Sequence, residues 1–133
     1  MDKKRILLID DEKELCASTK KLIEKISDYT LDTALSGKEG LRLAKEIKPD
    51  LIVLDILMPV MDGFAVLEEL KKDARLVEIP VIVLTGRGDD ASKAKALELF
   101  NEMFLVKPVT ALELKVKIDE VFKMRMRRTK SGD

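Results

Sequence analysis

The chain has no histidine, a single cysteine (Cys16) and no excess charge of either sign, because 25 Lys and Arg balance 25 Asp and Glu in 133 residues. Without histidine, Ser-His-Asp catalysis and histidine-ligated metals are excluded, and so is a histidine phosphodonor within the chain. One cysteine cannot close an intrachain disulfide. Balanced charge gives no overall basis for wrapping nucleic acid or coating an anionic membrane. No apolar run approaches the ~20 residues of a bilayer-crossing helix, and the opening MDKKRILLIDDE places charges where a secretory signal needs an apolar core. The expectation is a cytoplasmic chain with no membrane or direct nucleic-acid partner. Its chemistry must rest on carboxylates, lysine and hydroxyls.

What is present suits one domain. The length lies within the ~100–200 residues usual for a single unit. Apolar residues make up an ordinary 46%, so the core is adequate, while 38% charged residues give a dense polar surface. Short apolar runs recur at Ile6 to Ile9, Leu51 to Leu54, Val81 to Leu84 and Met103 to Val106, and read as buried parallel strands. A weaker alternation, Leu31, Thr33, Leu35, fills the β slot between two helices. Leu15, Thr19, Leu22, Ile23 and Ile26 have helical spacing and are expected to cover the sheet. Ser36 with Glu39 and Thr110 with Glu113 match the S/T-x-x-E capping box, so helices are expected from Gly37 and Ala111. Asp62 and Asp90 read as single caps for two more, opening at Gly63 and Ala91. Leu114, Ile118, Val121 and Phe122 form the stripe of the last helix. The β-α alternation predicts an α/β fold, a doubly wound parallel sheet with helices on both faces. The domain is expected over residues 1–125. A basic, flexible C-terminal tail follows over 126–133, and its cations read mainly as a solvated terminus.

In such a sheet, ligands bind beyond the carboxyl ends of the strands, where strand order reverses. Those ends carry Asp10-Asp11, Asp55, Thr85-Gly86 and Lys107-Pro108. If the first and third strands are neighbours, three carboxylates converge and raise one another's pKa unless a cation intervenes. Oxygen donors without His or Cys suit a hard ion such as Mg²⁺, which favours phosphate oxygens as further ligands. A carboxylate can accept a phosphoryl group as an acyl phosphate, a transfer that depends on positioning and charge neutralisation. Lys107 can supply positive charge and Thr85 a hydroxyl, and Gly86 leaves room against the backbone.

The ordered segments Ile9-Asp10-Asp11-Glu12, Asp55-Ile56-Leu57-Met58-Pro59-Val60-Met61-Asp62-Gly63, Leu84-Thr85-Gly86 and Phe104-Leu105-Val106-Lys107-Pro108 resemble the receiver (response regulator, CheY-like) domains of bacterial two-component signalling. The resemblance spans roughly residues 4 to 125. It implies a flavodoxin-like, five-stranded sheet in the order 2-1-3-4-5 flanked by five helices. It implies Asp55 as phosphoacceptor and Mg²⁺ held by Asp11, Asp55 and the Leu57 carbonyl, with Asp10 as an outer ligand. Lys107 would pair with the phosphoryl group across a cis Lys107-Pro108 bond. Thr85 would move toward that group and Phe104 would turn inward, altering the surface of the fourth helix, fifth strand and fifth helix. The donor would be a sensor histidine kinase or a histidine phosphotransfer protein. The output partner stays open, as does pairing with a second copy through that surface. The implied activity is a signalling switch that catalyses only its own phosphoryl transfer and dephosphorylation. Phe100-Asn101 stands where the family has Gly-Ala, Arg87 follows Thr85 by two residues, and Leu57 follows Asp55 by two; Leu57 is expected to shield the acyl phosphate from water.

Taken singly, each of these residues has a plainer reading: Asp as a helix cap, Thr85 as a strand end, Lys107 as a solvated charge, Gly63 as a turn residue, Phe104 and Cys16 as core. Their order along one rim carries the functional reading. Gly86-Arg87-Gly88-Asp89-Asp90-Ala91 fits the dinucleotide fingerprint, but it falls in the fourth unit and leaves the acids unexplained. An aspartyl-phosphate phosphatase would use similar parts, but would carry its nucleophile after the first strand and need a cap for which the chain has little room.

Overall fold

A computed structural model describes residues 3–58, 60–86 and 103–131. The apolar runs form β1 (Arg5–Ile9), β2 (Thr30–Ala34), β3 (Leu51–Asp55), β4 (Val81–Thr85) and β5 (Met103–Val106). All adjacent pairs are parallel, in the order β2-β1-β3-β4-β5. β3 and β4 lie inside the sheet and are buried at every residue, which is why they read as continuous apolar runs rather than alternations. β2 is an edge strand and ends at Ala34; the exposed Leu35 lies outside it, so its pattern is the faintest of the five.

The two faces of the sheet bury separate cores. Leu7, Ile9, Ile52 and Leu54 pack with Ala44, Val66, Leu67 and Leu70, under α2 (Gly37–Ile47) and α3 (Gly63–Lys72). Ile6, Leu8, Leu51 and Val53 pack with Cys16, Ile23, Leu114 and Ile118, under α1 (Lys13–Ile26) and α5 (Ala111–Ser131). The two-residue period of a strand assigns neighbours to opposite cores. The helix expected from Ala91, fourth in chain order, lies outside the described residues, as do its Asp90 cap, the dinucleotide-like stretch from Arg87, and Phe100-Asn101.

Helix starts follow the capping chemistry. The Ser36 hydroxyl accepts the Glu39 N–H at 3.2 Å, Asp62 Oδ1 accepts that of Ala65 at 3.0 Å, and Thr110 Oγ1 accepts that of Glu113 at 3.1 Å. At α5 the box closes reciprocally, with Glu113 Oε1 accepting the Thr110 N–H at 3.4 Å. At α2 the Glu39 carboxylate reaches one residue further back, to the Leu35 N–H at 3.2 Å.

The covering face of α1 differs from the expected one. Cys16 and Ile23 are buried and Thr19 half-buried, whereas Leu15, Leu22 and Ile26 are exposed. At 3.6 residues per turn the second set forms a stripe centred roughly 70° around the helix from the first. Cys16 takes the core position with its thiol 3.3 Å from the Asp10 carbonyl. The last helix buries Leu114, Ile118 and Val121 as expected, but it runs on through Ser131, past the boundary drawn at residue 125. Among the described residues no helix is long and apolar enough to cross a membrane.

Candidate functional site

Asp10 stands one residue beyond β1 and is held by main-chain and side-chain bonds. Its N–H donates to the Ala34 carbonyl at 3.0 Å, its carbonyl accepts the Cys16 thiol at 3.3 Å, and its Oδ1 accepts the Glu12 N–H at 3.1 Å. The thiol is therefore structural; burial, with the Asp10 charge adding to it, pushes Cys16 up to about 11. Asp55 ends β3, buried, with Oδ1 accepting the Leu57 N–H at 3.1 Å. Because β1 and β3 are neighbours in parallel register, with Ile9 opposite Leu54, the two acids emerge side by side.

Asp11 completes the group: one oxygen from each of Asp10, Asp11 and Asp55 lies within 4.8 Å of the others. Asp11 is exposed and the other two are buried, so the cluster is open on one side. Three carboxylate oxygens at this spacing could hold a hard divalent cation, and the donor set fits one.

Lys107, just beyond β5, is the positive charge of the site. Its ammonium donates to Asp10 Oδ2 at 3.0 Å, Glu12 Oε1 at 3.3 Å and Asp55 Oδ2 at 3.3 Å. Its N–H is tied to the Thr85 carbonyl at 2.7 Å, and the Lys107-Pro108 peptide is cis. Burial pulls its pKa down, but bonding to Asp10 and Asp55 outweighs burial and the net shift is upward. Burial raises the Asp55 carboxyl, the Asp10 charge adds to it, and the Leu57 amide and Lys107 oppose it; the net direction is up. Burial is the largest cause of the rise at Asp55, and a further cation at the cluster would oppose it.

The remaining residues frame the opening. Thr85 is fully buried, and its hydroxyl donates to the Leu105 carbonyl at 3.4 Å, toward β5. Phe104 is partly buried against the α2/α3 core. Leu57 is 59% exposed, and a Cβ built on Gly86 would sit 3.1 Å from its Cδ1, so the leucine lies across the opening toward β4. Gly63 is more than a turn residue. A Cβ there would fall 2.3 Å from Ile56 Cα and 2.7 Å from the Asp55 carbonyl oxygen. Only glycine lets α3 approach the backbone that carries Asp55.

Asp10, Asp11, Asp55, Leu57, Thr85 and Lys107 are thus at or beside one rim, whereas Phe104 lies two residues before the end of β5, opposite Val83 and against the α2/α3 core. Glu12 is the participant that sequence reasoning quoted without a role. The signal in the sequence is a glutamate directly after Asp10-Asp11 at the start of α1, where Ser, Thr, Asp or Asn is the favoured cap; the structure shows that it makes no capping bond.

The family model for the response regulator receiver domain matches residues 6–119. The chain belongs to this family. The receiver domain is 37% identical over 124 residues to the "Probable transcriptional regulator ycf27" of Guillardia theta, covering 91% of this chain and 46% of the relative. To the transcriptional regulatory protein PrrA of Mycobacterium leprae it is 36% identical over 121 residues, covering 91% and 51%. It spans about half the length of the curated relatives it matches. A response regulator receiver domain protein from Clostridium thermocellum superposes with a TM-score of 0.81 at 33% identity, over 92% of this receiver and 97% of that chain. Chemotaxis protein CheY4 of Vibrio cholerae, at 24% identity and TM-score 0.83 over 90% and 99%, shares the fold. As a receiver of two-component systems, the domain belongs to a class that works with sensor kinases.

Proposed function

We propose that this receiver is a phosphorylation switch in which Asp55 accepts a phosphoryl group from a histidine of a sensor kinase or phosphotransfer protein. The observation that carries the reading is the convergence on Asp55 of a lysine ammonium at 3.3 Å and two further carboxylates whose oxygens lie within 4.8 Å. A solvated strand end has no need of such a cluster.

A carboxylate oxygen of Asp55 attacks phosphorus in line. The P–O bond forms as the P–N bond of phosphohistidine breaks, and the leaving imidazole keeps the electron pair and takes a proton from solvent. Mg²⁺, held by Asp10, Asp11, Asp55 and the Leu57 carbonyl, would neutralise charge on the phosphoryl oxygens. Lys107 pairs with another of those oxygens, exchanging a carboxylate acceptor for the phosphoryl group. The Thr85 hydroxyl turns from the Leu105 carbonyl toward the phosphoryl group, and Phe104 packs further into the space this opens. The surface around β5 and its flanking helices then favours a different partner, a population shift driven by contacts made in one state only. Water attack on phosphorus restores the carboxylate and releases phosphate, so the chain turns over no substrate but its own acyl phosphate. A groove of about 490 Å³ beside Lys107, lined by Glu12, Leu15 and Thr110 among others, leaves the site open to a donor protein. The names of the relatives support transcription as the output that a protein built on this receiver would serve.

The test is intact mass after incubation with Mg²⁺ and a small acyl phosphate, for wild type, Asp55→Ala and a chelated control. A single Mg²⁺-dependent phosphoryl adduct, absent from Asp55→Ala, is expected. Phosphate release without an adduct would favour a phosphatase, and neither product would refute the switch.

A further inference from the structure

We propose that Glu12 is a positioning residue for Lys107, tethering its ammonium in the unphosphorylated state and thereby weighting the switch against phosphorylation. The inference rests on the phosphoacceptor reading of Asp55 and adds to it a residue that holds the resting arrangement.

A lysine ammonium has three N–H donors, and here three carboxylates take them: Asp10 at 3.0 Å, Glu12 at 3.3 Å and Asp55 at 3.3 Å. The three acceptors do not stand alike toward the reaction. Asp55 becomes the phosphoryl carrier, and Asp10 belongs to the cluster that can hold a cation. Glu12 belongs to neither and contributes nothing to the reacting atoms. Its contact with Lys107 is the one that competes with the phosphoryl group for a donor without being replaced by anything the reaction brings.

Among the described residues Glu12 makes no other side-chain hydrogen bond or ion pair that would explain its place. It occupies the N-cap of α1 without a side-chain capping bond, although its backbone N–H is fixed by Asp10 Oδ1 at 3.1 Å. That bond sets the direction of the turn, so the longer glutamate side chain reaches back over the site to Lys107. Its side chain is 60% exposed and that of Lys107 is 23% exposed. The pair is therefore partly solvated, strong enough to bias the ammonium and weak enough to break when a phosphoryl group arrives.

Wild type, Glu12→Ala and Glu12→Asp decide the matter. Aspartate keeps the charge and adds a helix cap, but it is one methylene shorter and cannot span a contact already at 3.3 Å. The first readout is the ¹⁵N–¹H resonance of the Lys107 ammonium in metal-free protein, assigned by its loss in Lys107→Arg; it should shift and exchange faster with water in both variants. The second is the affinity for beryllofluoride, a phosphoryl-group analogue, at saturating Mg²⁺. Both variants should bind it about two- to fivefold more tightly, the range that a partly exposed ion pair supplies. Mg²⁺ affinity measured alone should weaken in Glu12→Ala and hold in Glu12→Asp, which separates charge from tethering.

An unchanged ammonium resonance in both variants would overturn the tether. Beryllofluoride affinity equal to wild type in Glu12→Asp would overturn it also, reducing Glu12 to distant charge. If wild type bound no beryllofluoride at all, the phosphoacceptor reading itself would fail and the weighting with it.

Discussion

Replacing Gly63 by alanine tests whether the site depends on how closely α3 approaches the end of β3. The added methyl would lie 2.3 Å from Ile56 Cα and 2.7 Å from the Asp55 carbonyl oxygen, against ordinary contacts beyond 3.4 Å, and both atoms are main chain. A rotamer change cannot relieve such a clash, so α3 or the Asp55-Ile56 backbone must move. Overpacking that forces a backbone shift costs about 1–3 kcal/mol, and the absence of any yielding side-chain end places Gly63→Ala at the upper end, about 3 kcal/mol. Gly86→Ala is the internal control: among the described residues its methyl would meet only the exposed Leu57 side chain, at 3.1 Å, and it should stay within about 0.5 kcal/mol of wild type. Urea unfolding followed by far-UV circular dichroism suits a chain without tryptophan. The midpoint should fall while the slope is unchanged, and the melting temperature should drop about 3–5 °C per kcal/mol for a domain of this size. Mg²⁺ affinity by calorimetry should fall with it, because the displaced backbone carries Asp55 and Leu57. A Gly63→Ala protein within about 0.5 kcal/mol of wild type, the size of a neutral surface change, would refute the close-approach argument.

Val60 is fully exposed at φ 66°, a region that a β-branched residue adopts only with strain; Val60→Gly should raise stability by about 1 kcal/mol in the same urea assay. Asp55→Asn should stabilise metal-free protein at neutral pH. Burial and Asp10 raise the folded pKa of Asp55 above its ordinary 3.8, so the folded state binds more protons and wild type loses stability as pH rises through that window. The Asn advantage should accordingly vanish as pH falls toward 3.8, and urea midpoints of the pair across pH in chelator would show it; an advantage that grew on acidification would contradict the sign. Leu57→Asn should speed loss of the acyl phosphate about fivefold, equivalent to about 1 kcal/mol of barrier, measured as the decay of the phosphorylated mass; an unchanged lifetime would remove Leu57 as a water shield.

Features legible in the sequence were those encoded within a few residues. Ser36, Asp62 and Thr110 announce their helices because a cap and the amide it accepts are three residues apart. The strands show because each is a short apolar run, faintest at the edge strand β2, where burial alternates irregularly. The buried face of α1 departs from the expected one for the same reason. Leu15, Leu22 and Ile26 have the right spacing for a core stripe, but spacing does not say which side of the helix meets the sheet. The position of β1, which brings the Asp10 carbonyl to the Cys16 thiol, decides it. Gly63 could not be weighed from its neighbours, since its value lies in the distance between a helix and a strand end.

By itself the sequence determined the α/β class, the chemistry of the rim and the residues that populate it, because strand periodicity and the order of acids, hydroxyl and lysine are local or sequential properties. Tertiary structure decided how those residues bear on one another. Lys107 meets Asp10 across 97 residues, Glu12 across 95 and Asp55 across 52. Contacts of that separation depend on strand order and register, and these follow from the packing of two cores on opposite faces of one sheet.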